Sequence, residues 1–245
     1  MVSCLPAMGY SERMQRMAEK RAALLTFLAS GEVYTCVEVV AELLQVSRPV
    51  AFQTCQSLVE LCALKSEAHW VNGRKRIIYG ITAHGAALSG ADGGRAVFDL
   101  GRTNSAWISH RIETQLMRLR AQRSGWTEWL PERALLGAGM RKVPDALATA
   151  PDGRRVAIEI ERHAKTSKRY AEIIHAYLLE IKAGRIDCVE YVTPGIAQQI
   201  EQCFLRVGRV KHEGEWISLN EKHRARFRFS NFDAWPLPVM KGGQQ

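Results

Sequence analysis

Between residues 47 and 82 the spacing of apolar side chains switches from the helical period to the strand period, and Asn72-Gly73 sits at the centre of the second pattern. Few folds accept that switch: a helix must be followed by a tight β-hairpin. Ser47 stands at a cap position with Pro49 in the first turn, where a missing N–H costs nothing. Val50, Ala51, Cys55, Leu58, Val59 and Cys62 then fall at helical spacing, which leaves Arg48, Gln53, Thr54 and Gln56 to face outward. Asn-Gly is the dipeptide best suited to a type I′ turn. It joins His69–Val71 to Lys75–Ile81 and puts Arg74, Lys75 and Arg76 at the tip. Thr82 is placed to cap a short helix ending at Leu88. Upstream, Met14–Ala29 carries Met17, Leu24, Leu25 and Leu28 on one face. Thr35-Cys36-Val37-Glu38 has the spacing of a capping box, opening a helix through Leu44, with Val46-Ser47 as a tight turn.

Helices followed by a basic-tipped hairpin, over roughly residues 12–89, resemble winged helix-turn-helix domains. The resemblance implies a recognition helix in the major groove and wing cations on phosphates. Arg48, Gln53, Gln56, Arg74, Lys75 and Arg76 are the DNA-contact candidates. A winged helix that binds protein would show the same element order.

The 245 residues suffice for one large domain or two small ones, and Gly90-Ala91-Asp92-Gly93-Gly94 is the best linker, dividing the chain into 1–92 and 93–245. The net charge of +9 favours an anionic partner, nucleic acid first. Residues 1–95 carry 10 basic and 8 acidic side chains and residues 96–245 carry 24 and 17, so the surplus is +2 against +7. No apolar run is long enough for a membrane helix, and the start of the chain has no signal-peptide pattern. None of the 6 cysteines forms a CxxC pair, and Cys36, Cys55, Cys62 and Cys203 fall in expected helices as small buried side chains. A reduced, cytoplasmic protein without structural zinc is expected.

After the linker, long helices alternate with short strands. Asn104–Arg123 is an amphipathic helix with Ile108, Ile112, Leu116 and Leu119 on one side. Trp126–Leu130, Lys142–Thr149 and Arg155–Glu161 read as strands, the last two joined by a Pro151-Asp152-Gly153 turn. A helix follows with Tyr170, Ile173, Ile174, Tyr177, Leu178 and Ile181 on its apolar stripe, ended by Gly184. Cys188–Val192 returns as a strand and Ile196–Val207 as a helix. In the third strand Val156, Ile158 and Ile160 share one face, and Ala157, Glu159 and Glu161 the other. Two carboxylates at that spacing repel unless a cation or proton lies between them. Asp145, from the preceding strand, can complete a cluster suited to a hard divalent cation. A hairpin with a solvated acidic face, partnered by Arg154, Arg155 or Arg162, is the alternative.

Pro144-Asp145 followed by Glu159-Ile160-Glu161 at the end of an apolar strand resembles the PD-(D/E)XK nuclease core, with Glu161 where the usual lysine stands. The resemblance implies that Asp145 and Glu159 hold Mg²⁺ or Mn²⁺ and that Glu161 helps to position or activate water. Lys165 either takes over the lysine's role or holds phosphate.

A wider pattern adds His110, Trp126, Pro131-Glu132-Arg133, Lys165 and Arg169-Tyr170. With the winged helix before it, this is similar to the replication-relaxation family and, within it, to MobC-type plasmid mobilisation relaxases. The chain lacks the His-hydrophobe-His motif of tyrosine relaxases. The family implies an α+β protein, winged helix-turn-helix then restriction-endonuclease-like domain. It implies an enzyme that nicks one strand at a plasmid origin of transfer, with an accessory mobilisation protein and a coupling protein as partners. His110 and Glu132 are further candidates for the site, and Tyr170 is either a nucleophile or a core residue. Lys168, Arg169, Arg224, Arg226 and Arg228 are candidates for tracking the DNA backbone. A non-catalytic regulator with a degenerate nuclease fold and a double-strand endonuclease remain open.

Overall fold

A computed structural model describes residues 9–71, 73–90, 97–98 and 105–236. The chain is α+β, with helices, two antiparallel sheets and a mixed sheet among the described residues. It divides into two compact units, Met1–Gln115 and Leu116–Gln245. That division falls within helix α5 (Ser105–Arg123). The expected linker lies outside the described residues except for Gly90.

The first unit runs α1 (Tyr10–Phe27), a π-helical turn (Leu28–Glu32), β1 (Tyr34–Cys36), α2 (Val37–Leu44), α3 (Arg48–Glu60), β2 (Leu64–Val71), β3 (Arg74–Ile81) and α4 (Ala83–Leu88). Its sheet has the order β1-β3-β2, antiparallel throughout. Gln45, left-handed at φ 52°, makes the turn between α2 and α3. At the hairpin tip Asn72 lies outside the described residues, and Gly73 has φ 71°, as a type I′ turn requires. Thr82 caps α4 as expected, its hydroxyl accepting the Gly85 N–H at 3.0 Å.

Three local expectations are corrected. Thr35 is no helix cap: it sits in β1, fully buried, and its hydroxyl donates to Gln115 Oε1 at 2.9 Å, so a tertiary partner outcompetes the capping box. Thr54 does not face outward: it is buried, and its hydroxyl donates back to the Val50 carbonyl at 2.9 Å. Of the cysteines, Cys62 is exposed at φ 54°, beyond the end of α3, and Cys36 lies in β1 and not in a helix. Cys36 and Cys55 are buried in the core. Burial pushes their thiols up to about 12, which keeps them protonated.

In the second unit, β4 (Thr127–Pro131), α6 (Glu132–Leu135), β5 (Ala146–Thr149) and β6 (Arg155–Ile160) lead to α7 (Ser167–Lys182), β7 (Cys188–Thr193) and α8 (Ala197–Leu205). The chain ends in β8 (Arg209–His212), β9 (Glu215–Ser218), α9 (Glu221–Arg224), β10 (Phe227–Asn231) and a short 3-10 turn. The main sheet has the order β10-β7-β6-β5-β4; β4, β5 and β6 are antiparallel neighbours, and β6, β7 and β10 run parallel. Each face has its own core, as the strand period demands. Ala157, Val189 and Tyr191 pack with Tyr170, Ile173, Tyr177 and Phe204 of α7 and α8. Val156, Ile158, Ile160 and Val192 pack with Met117, Ala121 and the tryptophans 126, 129 and 235.

Arg224, Arg226 and Arg228 each make a contact within this unit, although Arg226 and Arg228 remain exposed. Arg224 donates to the carbonyls of Phe204, Leu205 and Val207, the open C-terminus of α8. Arg226 donates to the Asp187 carbonyl at 3.2 Å, and Arg228 lies 3.8 Å from buried Glu190.

Glu190, on β7, accepts the Trp235 indole N–H at 2.5 Å. Burial raises its pKa above the ordinary carboxylate value, and the Trp235 hydrogen bond and Arg228 only partly offset this. A raised carboxyl stabilises the fold in its neutral form, fully at low pH, and that stability is lost as pH rises through the folded pKa. Glu190→Gln keeps an acceptor for Trp235 and cannot ionise. It is expected to melt a few degrees above wild type at pH 8, with the gain shrinking to nothing near pH 4. Thermal denaturation at both values checks this, and a variant that melts lower at pH 8 would place Arg228 above burial.

Candidate active site

Asp145 immediately precedes β5, Glu159 lies near the end of β6 and Glu161 directly follows it, so antiparallel pairing of the two strands brings all three to one end of the sheet. Asp145 Oδ2 accepts the Ile160 N–H at 2.7 Å, which locks its carboxylate against the β6 backbone. Glu159 and Glu161 lie on the Ala157 face, as their spacing predicts, and both are buried.

Each buried glutamate has a lysine. Lys142 Nζ is 2.6 Å from Glu159 Oε1 and also donates to the Val143 carbonyl at 2.9 Å. Lys165 pairs with Glu161, and its backbone N–H donates to the Tyr170 hydroxyl at 3.1 Å. The Tyr177 hydroxyl donates to Glu159 Oε1. Burial, with the charge of Asp145 added, holds the Glu159 pKa above the ordinary value against Lys142 and Tyr177. Burial likewise lowers the Lys165 pKa, against the pull of Glu159.

A third tyrosine completes the site. Tyr191 on β7 pairs directly with Glu159 in the parallel ladder. It is buried, and its hydroxyl has no hydrogen-bond partner among the described residues. Burial and the nearby carboxylates raise its pKa well above the ordinary phenol value.

Mg²⁺ is commonly held by one or two carboxylates, with waters and substrate phosphate completing its shell. Asp145 and Glu159 are the two carboxylates whose charges interact, and the orphaned Tyr191 hydroxyl beside them offers a water a partner. Lys142 and Tyr177 already hold Glu159, however, so an ion there would have to displace Lys142. Glu161 is paired with Lys165, and among the described residues no group of three or more His, Cys, Asp or Glu is placed to hold a metal ion.

The remaining candidates separate. Glu132 is half-buried at the start of α6, and its N–H donates to the Asp145 carbonyl at 2.9 Å, so it borders the site. Lys168 and Arg169 are exposed on the first turn of α7, and Arg169 pairs with Glu172 at 2.7 Å. Tyr170 is fully buried, 4.6 Å from the Phe204 ring, and is a core residue. His110 lies half-buried in the part of α5 that belongs to the first unit. In the first unit Arg48, Gln53, Arg74 and Lys75 are exposed, while Gln56 and Arg76 are half-buried. Arg48 pairs with Glu38 at 3.1 Å, and Gln56 donates to the Tyr79 hydroxyl at 3.5 Å.

Lys142, Tyr177, Tyr191 and Glu180 escaped sequence reasoning. Lys142 stands three residues before Asp145, and that proximity was the available signal. The tyrosines look like ordinary members of apolar stripes. Glu180, fully buried on α7, accepts the Arg141 N–H at 2.9 Å and two bonds from Arg185, at 2.5 and 3.0 Å. It thereby ties the segment carrying Lys142 to α7.

No protein-family model and no curated protein matches the chain. Among solved structures, the chain is similar to a mutant of MepR from a multidrug-resistant S. aureus clinical isolate, at 16% identity and a TM-score of 0.28, over 48% of this chain and 99% of that one. Similarity at that score does not define a shared fold. No helix among the described residues is long and apolar enough to cross a membrane.

Proposed function

We propose that this chain is a DNA-nicking enzyme, with a winged helix in its first unit and a PD-(D/E)XK-type site in its second. The observation that carries the reading is the meeting of Asp145 and Glu159 at the end of paired strands, with Lys142 and Lys165 against the buried glutamates. A basic-tipped hairpin and an exposed helix N-terminus supply a duplex-binding surface in the first unit. By the resemblance in sequence, the substrate is a plasmid origin of transfer, and an accessory mobilisation protein and a coupling protein are the partners.

Asp145 and Glu159 would hold the Mg²⁺ or Mn²⁺, with Glu161 beside them. When bound, such an ion supplies positive charge to the phosphate oxygens and acidifies water. Lys142 favours the ionised form of Glu159 in spite of its burial. Lys165, its pKa lowered and its ammonium on Glu161, would be the proton donor that stands in for the missing motif lysine. Tyr177 fixes the rotamer of Glu159.

The two lysine pairs also favour a second reading, in which they replace the metal permanently and the protein binds DNA without cutting it. A supercoiled plasmid carrying the origin separates the readings. Open circles formed only with Mg²⁺ or Mn²⁺ support nicking, linear product indicates a double-strand endonuclease, and unchanged plasmid with both ions establishes the non-catalytic form.

A further inference from the structure

In an antiparallel ladder, directly opposed residues point to the same side. In the hairpin of the first unit Trp70 opposes Lys75, Ala68 opposes Ile77 and Ser66 opposes Tyr79. Trp70, Lys75, Ile77 and Tyr79 therefore share one face. Between that face and the first turns of α3 lies a cavity of about 360 Å³, to which Arg48, Phe52, Lys75, Arg76, Ile77 and Tyr79 contribute. Its volume falls in the range of small-ligand sites.

The surface is apolar where water reaches it. Phe52 is 44% exposed, Ile77 43% and Trp70 68%. Contact with a duplex would use little of this surface, since apolar contacts there are confined to thymine methyl groups. A duplex presents phosphates and base edges, while the faces of its bases are stacked against one another. The whole face of an aromatic ring is matched where a base has left its stack. Cations interleaved with exposed aromatics are the pattern that binds unpaired strands: the cations follow the backbone and the rings take the bases. Glu38 also lines the groove and pairs with Arg48 at 3.1 Å, so Lys75 and Arg76 supply the charge complementarity around Phe52, Ile77 and Trp70.

We propose that the groove between α3 and the hairpin binds unpaired nucleotides of single-stranded DNA, one base entering against Phe52 and Ile77 and another stacking on Trp70. The proposal rests on the reading of the first unit as a DNA-binding domain and narrows its substrate to duplex DNA that opens into single strands. A protein of this preference would engage its site where the duplex is melted or forked.

The test is fluorescence anisotropy with the full chain and three labelled probes: a blunt duplex, the same duplex with unpaired arms, and the corresponding single-stranded RNA. Wild type is expected to bind the forked probe at least tenfold more tightly than the blunt duplex. Phe52→Ala and Trp70→Ala are each expected to lose about tenfold on the fork, the scale of one base–aromatic stack, with little change on the duplex. A 2-aminopurine in the unpaired arm should be quenched by wild type and not by Trp70→Ala. Trp70 is exposed, so its variant stays folded even if Phe52→Ala does not. Equal binding of fork and duplex by wild type overturns the proposal while leaving duplex binding intact. So does a preference for RNA, or a fork preference that survives Trp70→Ala. Binding of none of the probes overturns both this proposal and the DNA-binding reading beneath it.

Discussion

Asp145→Ala is expected to reduce metal-dependent nicking of supercoiled plasmid about a thousandfold, the effect of losing several kcal/mol of charge stabilisation in the transition state. Asp145 is the better target than Glu161 because its geometry is already set. Its Oδ2 is held at 2.7 Å by the Ile160 N–H, whereas the Glu161 carboxylate is taken by Lys165. Removing Asp145 relieves the repulsion that helps raise the Glu159 pKa but also leaves the Ile160 N–H without its acceptor, so thermal melting of the variant is measured beside cleavage. Affinity for the same plasmid, measured beside cleavage, separates lost chemistry from lost binding. Glu159→Gln should act in the same direction, since it removes the second carboxylate while keeping an acceptor for the Tyr177 hydroxyl. Nicking at the wild-type rate in both variants would move the chemistry away from this end of the sheet.

The largest effect on stability is expected from Gly85→Ala. In an ordinary helix this change stabilises, by roughly 1 kcal/mol. Here the added Cβ would lie 2.1 Å from the Ala63 carbonyl oxygen and 3.1 Å from Ile81 Cγ1. The carbonyl cannot retreat, because it accepts the Thr82 N–H at 3.1 Å and the Thr82 hydroxyl at 3.0 Å, and the Ala63 N–H is itself held by the Leu58 carbonyl at 2.9 Å. Relief requires α4 to lift off the hairpin, at a cost of about 3 kcal/mol. The first unit's thermal midpoint should fall by ~10 °C. A variant that melts at or above the wild-type temperature would mean that α4 is free to shift.

Much of the element order was legible because its causes are local. The period change before Asn72-Gly73, the Thr82 cap and the stripe on α7 each depend on residues within a few positions of one another. The carboxylates at 159 and 161 were legible for the same reason: a strand places alternate residues on one face whatever surrounds it. Local signals also misled where a distant partner won. Thr35 had the spacing of a cap, but Gln115, 80 residues away, takes its hydroxyl. Arg224 shows the same competition, since it donates to the carbonyls that end α8.

By itself, then, the sequence determined α3 with its following hairpin, the stripe on α7 and which face of β6 carries acid, since backbone periodicity needs only near neighbours, while β1, α6 and the elements after α8 were not legible in it. The tertiary structure alone decided what the acid meets. β10 joins β7 in parallel only after a long connection closes, and Lys142, Tyr177 and Tyr191 reach Glu159 only once β5, α7 and β7 have docked on β6. The charge state of Glu159 depends on that docking, because burial and the approach of Asp145 raise its pKa and Lys142 and Tyr177 oppose them.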